Sequence, residues 1–191
     1  MISKVRVKML ELFFRNPNEL YYVRQITRLV EEEINAVRRE LERMTNTGIL
    51  KSEKRGNRLY YYVNNHYDYY SELLRLISKS TGLGKAIKLH RKELGKLRYV
   101  MFSGKFAQHK NRGVNEVDIL MVGTVHVKGL DPLLKSEEKL RGHEINYTIM
   151  TEEEFEFRKT RRDPFLNEVL AGGRVMIIGD EDGLVDRQPE V

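Results

Sequence analysis

The spacing of apolar residues changes along the chain, and each change marks a predicted element. From Ser3, the residues Val5, Val7, Met9, Leu10, Leu12, Phe13 and Phe14 are dense enough to predict a well-buried helix. Asn16-Pro17-Asn18 stops it, because Pro lacks a donor and pushes its predecessor out of helical space. The helical pattern resumes over residues 22–30, with Val23, Ile26, Leu29 and Val30 on one side. After the acidic run Glu31-Glu32-Glu33, the residues Ile34, Val37, Leu41 and Met44 recur at spacings of three, four and three, a core-facing stripe. The opposite face of that helix carries Asn35, Arg38, Arg39 and Glu42. Gly48 stops it, and Ile49-Leu50-Lys51 opens a hairpin. The tip is Lys54-Arg55-Gly56-Asn57-Arg58 and the return strand is Leu59-Tyr60-Tyr61-Tyr62-Val63.

The pattern then turns helical over residues 67–78, with Leu73, Leu74 and Ile77 apolar. Ser80-Thr81-Gly82-Leu83-Gly84 predicts a break, and a basic helix follows through Lys85, Lys88, Arg91, Lys92 and Lys96. Strands are expected over 97–102, 117–122, 145–150 and 174–178, with a loop over 103–113 and a helix over 131–140. Thr151-Glu152-Glu153-Glu154 is a capping box, and Asp163-Pro164 places Pro at a first helical position. Strands alternating with helices point to a layered α/β or α+β arrangement. The 191 residues suffice for one to two domains of modest core.

Charge adds an asymmetry to this layout. The net charge is +6, yet residues 1–65 hold 13 Lys and Arg against 8 Asp and Glu, and residues 66–113 hold 11 against 3. Residues 114–191 reverse the balance, with 10 against 17. One part of the chain is therefore suited to a polyanion and the rest is not, although uneven solubilising charge gives the same counts. No apolar run approaches the roughly 20 residues of a membrane span, and no signal-peptide pattern opens the chain. With no Cys there is no disulfide framework, thiolate nucleophile or Cys-based zinc site, so a cytoplasmic protein is expected, with no membrane partner. His66, His90, His109, His126 and His143 lack any metal-ligand spacing.

Three helices followed by a basic-tipped hairpin resemble a winged helix-turn-helix domain of the ArsR-like regulator group. The resemblance covers residues 3–64 and rests on Tyr22-Val23-Arg24-Gln25-Ile26, on Ala36 through Met44, on Gly48-Ile49-Leu50 and on Arg55 through Tyr61. It implies double-stranded DNA as partner, with Asn35, Arg38 and Arg39 facing a major groove and the wing residues Lys54, Arg55, Asn57 and Arg58 on the backbone or a minor groove. The residues themselves leave a solvated helix face, or a protein-contact module, as the alternative. The acidic run before the third helix suits a helix N-terminus but repels phosphate. By analogy with dimeric members, the Tyr/Leu face of residues 67–77 is a candidate homodimer surface, or else packs within its own chain. The basic helix is a solvated face or an extension of the DNA footprint.

Gly104-Lys105-Phe106-Ala107, then Glu116-Val117-Asp118-Ile119-Leu120-Met121-Val122-Gly123, resemble the polymerase-β-type nucleotidyltransferases, especially the minimal ones, over residues 96–182. That family uses a Gly-Ser turn for phosphate, an Asp-x-Asp pair on a strand for divalent metal, and a third carboxylate on a later strand. Here Lys105 replaces the Ser, Glu116 the first Asp and Asn146 the third carboxylate, with Asp118 alone intact. Glu144, two residues before Asn146 on the same face, is the alternative third carboxylate. The resemblance thus implies a degenerate motif that assigns no catalytic residue, with Glu116 and Asp118 as the metal candidates. Gly104 and Lys105 remain candidates for binding a nucleotide or phosphorylated small-molecule effector. The tail from Asp180 through Asp182 and Asp186 is expected to be solvated.

The expected fold class is α+β: a winged helix-turn-helix over 1–66, a helical connector over 67–95, a nucleotidyltransferase-like mixed α/β domain over 96–182 and an acidic tail over 183–191. The expected function is a DNA-binding, homodimeric transcriptional regulator without cofactor, its second domain serving as scaffold or ligand sensor. The alternative is an active nucleotidyltransferase that uses Mg²⁺, of a toxin–antitoxin type.

Overall fold

A computed structural model describes residues 3–185 as a mixed α+β chain with two sheets. The chain divides into two compact units, Met1–Ile77 and Ser78–Val191, the division falling inside the stretch read as a connector.

In the first unit, α1 (Lys4–Arg15) starts at Ser3, whose hydroxyl accepts from the Arg6 N–H. Then come β1 (Tyr21–Tyr22), α2 (Val23–Val30), α3 (Ile34–Asn46), β2 (Leu50–Arg55), β3 (Arg58–Val63) and α4 (Tyr70–Ser80). The three strands form an antiparallel sheet in the order β1-β3-β2. Met9, Phe13, Ile26, Val37, Leu41, Met44 and Leu50 are at most 1% exposed and make the core, so the α3 stripe falls where its spacing put it. Strand β1 escaped the sequence reading, because two residues carry no periodicity. Its pairing with β3 takes Tyr22 out of the helix expected over 22–30. Leu29 is 55% exposed, off the Ile26–Val30 stripe, and Val7 is 42% exposed, so neither belongs to the core assigned to it. Residues 67–69 form turns rather than helix, with the Tyr70 N–H bonded to the Tyr67 carbonyl.

The second unit runs α5 (Gly82–Leu89), α6 (Arg91–Leu94), β4 (Gly95–Ser103), α7 (Gly104–Ala107), β5 (Ile119–Val125), α8 (Val127–Arg141), β6 (Tyr147–Met150), α9 (Glu152–Thr160), α10 (Pro164–Ala171), β7 (Arg174–Ile178) and α11 (Glu181–Val185). The sheet order is β6-β5-β4-β7, with only β5 and β6 parallel. Tyr99 and Met101 of β4, Leu120 and Val122 of β5, Met150 and Met176 pack with Phe155 of α9, Leu166 of α10 and Leu184 of α11 on one face. On the other face α5 comes so close to β7 that a Cβ on Gly84 would stand 3.2 Å from the Ile177 side chain.

Several expected boundaries move, each for a local reason. The break over 80–84 shrinks to Thr81, and the basic helix splits at His90 and ends at Leu94. Gly95 and Lys96 instead pair with Val125 and Thr124 as the start of β4. Helix α8 begins at Val127 rather than 131, because burying Leu130 with Leu134 and Glu137 extends its inner stripe by a turn and leaves Pro132 inside the helix. The loop over 103–113 contains the one-turn α7, capped by the Ser103 hydroxyl. The tail read as solvated begins inside α11, where Leu184 is fully buried; Asp186 and the rest of the tail lie outside the described residues.

Candidate functional site

The exposed face of α3 is where the first unit concentrates uncommitted charge. Asn35, Arg38 and Arg39 are exposed, and the two Arg side chains make no hydrogen bond or ion pair among the described residues. The acidic run before α3 now has a physical account. Glu31 closes α2 in the left-handed region at φ 51°, where its N–H bonds to the Thr27 carbonyl. Glu32 pairs with Lys8 at 2.7 Å. The Glu33 carboxylate caps α3, accepting from the Asn35 and Ala36 N–H groups at 2.9 and 3.0 Å. Those two backbone donors, with Arg39 and Arg38 adding field, hold the Glu33 carboxyl below the usual carboxylate range.

Glu40, on the inner side of α3, was not singled out as a structural residue by the sequence. It is 4% exposed and accepts from the Arg6 Nε at 2.8 Å, the Arg43 guanidinium at 3.0 Å and the Ser3 hydroxyl at 3.1 Å. Burial pushes its carboxyl up, but Arg6, Ser3 and Arg43 outweigh burial and the net displacement is downward. A charged residue at core spacing was the available signal. The network fixes the start of α1 to α3 and so sets the tilt of the Arg38 face.

The β2–β3 hairpin carries its cations on both faces of its sheet. Gly56 takes φ 57° at the first position of the two-residue loop between Arg55 and Arg58, where a tight hairpin favours Gly. Strand alternation puts Lys54 on the side of Tyr61, whose hydroxyl feels the charge of Arg38. Arg55 and Arg58 fall on the opposite side. Arg55 is bound to Glu53, and the Arg58 guanidinium lies 4.8 Å from the Tyr22 ring centre. Asn57 is exposed in the loop. The DNA-binding candidates therefore form two groups: Asn35, Arg38, Arg39 and Lys54 on one side, Arg55 and Arg58 on the other.

In the second unit the residues of the expected motif close on one another. Glu116 and Asp118 precede β5 rather than lying on it, and Asn146 precedes β6, which corrects the expected strand placement of all three. The strands begin late because these backbones serve one another. The Asp118 N–H bonds to the Asn146 carbonyl at 2.8 Å, and the Asn146 N–H bonds to the Asp118 carboxylate at 2.9 Å. The Asn146 amide also donates to the Glu116 carbonyl at 2.8 Å. Lys105 contacts the Glu116 carboxylate at 2.5 Å, and that carboxylate also accepts from the Gly113 N–H at 2.6 Å. Lys105, then the Gly113 N–H, hold the Glu116 carboxyl below its ordinary range. Asp118, 2% exposed, pairs with the Arg112 Nε at 3.0 Å.

Arg112 is the residue the sequence reading missed, since nothing in a loop of mixed Lys, Asn and Arg distinguishes it. Gly104 has a structural task of its own. Its N–H donates to the Gly173 carbonyl at 2.6 Å, and a Cβ there would meet the same oxygen at 2.9 Å. That donor is not open to a phosphate. Arg141 of α8 closes the region by donating to the Phe106 carbonyl at 2.9 Å while paired with Glu137 at 2.8 Å, both side chains being under a tenth exposed. Glu144 is exposed.

These donors do not fit a divalent metal. Each candidate carboxylate already holds a cationic side chain, and Asn146 turns its amide donor toward the Glu116 backbone. Among the described residues, no group of three or more His, Asp or Glu is placed to hold a metal ion, and no helix is long and apolar enough to cross a membrane. No protein-family model, curated protein or solved structure matches the chain.

Proposed function

We propose that the protein is a DNA-binding transcriptional regulator that acts as a homodimer in the cytoplasm, its first unit being a winged helix-turn-helix. The observation that carries this reading is the pair Arg38 and Arg39, exposed and without ion partners among the described residues, on a helix tied to α1 by the buried Glu40 network. In this reading Arg38 and Asn35 reach base edges, while Lys54 on the same side holds a phosphate. Arg55 and Arg58 reach the duplex only from the wing tip. Glu33 occupies the α3 N-terminus, so a phosphate cannot be held there and register falls to the side chains. The proposed dimer surface is the Tyr/Leu face of residues 67–77, where Tyr69, in the turn before α4, is 62% exposed and Leu76, on α4, 57%.

The second unit, in this proposal, is a nucleotidyltransferase-like scaffold that transfers no nucleotide. The Lys105–Glu116 and Arg112–Asp118 pairs support that reading over an active Mg²⁺ enzyme. An effector carrying phosphate would have to displace Glu116 from Lys105.

The test is salt-titrated fluorescence anisotropy on a duplex selected from genomic fragments and on a scrambled duplex. Arg38→Ala should cost about 1–3 kcal/mol on the selected site and relax preference at one or two base pairs. Lys54→Ala should weaken both duplexes alike and lower the salt slope by about one. Equal affinity of the wild type and both variants for the two duplexes sinks the reading. Labelling of any acceptor by a nucleoside triphosphate, lost on Asp118→Ala, overturns the scaffold assignment.

A further inference from the structure

The outer face of the wing sheet, turned away from α3, is unlike an ordinary solvated strand surface. Cross-strand register places Lys51 beside Tyr62, Glu53 beside Tyr60, Arg55 beside Arg58, and Tyr22 on the far side of Tyr60. Directly opposite residues share a face. Three tyrosines and three cations therefore lie together with one carboxylate. Tyr22 and Tyr60 meet edge to face at 5.8 Å, the Arg58 guanidinium lies 4.8 Å from the Tyr22 ring, and Arg55 stands 6.0 Å from the Tyr60 ring. The tyrosines are half-buried and the cations exposed, so the rings are held in place while the charge stays in water. The duplex reading uses none of these rings.

We propose that this face, built from Tyr22, Tyr60 and Tyr62 with Lys51, Arg55 and Arg58, binds single-stranded nucleic acid. Charge complementarity selects a polyanion, since the three cations face only Glu53, and that carboxylate is already taken by Arg55. The aromatic residues narrow the choice. A duplex hides its bases and gains nothing from a tyrosine ring, whereas a single strand can stack unpaired bases on rings and on guanidinium planes. Residues two apart on a strand are spaced about 7 Å, so β3 sets Arg58, Tyr60 and Tyr62 in line along the path of an extended strand, with Lys51 and Arg55 of β2 beside them. Either sugar satisfies this chemistry, because stacking and phosphate pairing do not read the 2′-hydroxyl.

The test uses the full chain with fluorescein-labelled 20-mers of oligothymidine and oligouridine, followed by anisotropy at low and rising salt. The wild type binds at least one of them, with log K falling as log salt rises at a slope of about −1.4 for two phosphate contacts, those of Lys51 and Arg58. Tyr60→Ala weakens binding at least about fivefold, while Tyr60→Phe keeps it within about twofold because the ring is retained. Lys51→Glu, at an exposed position where folding is not at stake, weakens binding and flattens the salt slope. Arg38→Ala leaves the single-strand affinity unchanged, which separates this surface from the α3 face. Absence of binding to both oligomers at low salt overturns the proposal. So does binding indifferent to both Tyr60→Ala and Lys51→Glu, or a loss on Arg38→Ala equal for single strand and duplex. A wild type that ignores duplexes yet binds the oligomers through Tyr60 defeats the regulator reading and leaves this one standing.

Discussion

Asp118→Asn separates a structural latch from a metal site, and the geometry sets its size. The Asp118 side chain is 3% exposed, and one of its oxygens forms an ion pair with the Arg112 Nε at 3.0 Å and accepts the Asn146 N–H at 2.9 Å. Asparagine keeps the shape and one acceptor but loses the charge. A hydrogen bond to a charged group is worth about 1.5–3 kcal/mol against about 1 for a neutral one, so the expected cost is about 2 kcal/mol. Arg112, 29% exposed, recovers some hydration and keeps the figure from rising further. Asp118→Ala removes the ion pair and the hydrogen bond and leaves the Asn146 donor unpaired, for about 3–4 kcal/mol. At about 4 °C per kcal/mol for a unit of this size, the melting temperature falls by about 8 °C and about 14 °C respectively. Calorimetry of the full chain, fitted as two units, reads these shifts. Millimolar Mg²⁺ should move neither transition of the wild type. An Asp118→Asn variant that melts with the wild type refutes the latch. So does a wild-type transition raised by several degrees in Mg²⁺, because a ligand binding only the folded state stabilises it by mass action.

Other consequences can be checked directly. Glu40→Ala should destabilise the first unit by about 2 kcal/mol in urea melts, discounted because Arg6 and Arg43 are 33% and 62% exposed. Its folded pKa lies below the unfolded one, so its contribution is present above the unfolded pKa and lost as pH falls through the folded value. Glu33→Gln should remove a further acid-sensitive step of the same sign, read as a flatter stability profile between the usual carboxylate pKa and lower pH. Lys105→Ala should return the Glu116 titration toward the ordinary carboxylate range, seen by carboxyl carbon NMR; an unchanged titration would show that Gly113 alone sets it.

The core of the first unit was legible because it obeys a period. The Ile34–Val37–Leu41–Met44 spacing located α3, and three of those four residues are at most 1% exposed. Glu40 was hidden in the same helix because hydrophobic periodicity cannot register a buried carboxylate satisfied by residues 34 and 37 positions away. The β2–β3 hairpin was visible as a polar tip between strands, but which cation lies on which face depends on register, and the register follows from the two-residue loop. In the second unit the altered motif positions were readable, whereas their pairing was not. Arg112 reaches Asp118 through loop geometry that no spacing rule encodes.

The position of β7 has a consequence for how the chain is made. Strand β4 pairs with β5 soon after both are synthesised, but its other edge waits for β7, where Met101 meets Met176 and Phe102 meets Val175. At about 5–20 residues per second, some 75 residues take roughly 4–15 s to emerge, and throughout that interval an apolar strand edge lies open. The first unit closes all its pairings by Val63 and faces no such delay. Misassembly during synthesis is therefore a hazard of the second unit, and slowing translation between residues 103 and 174 should lower soluble yield without touching the stability of the finished protein.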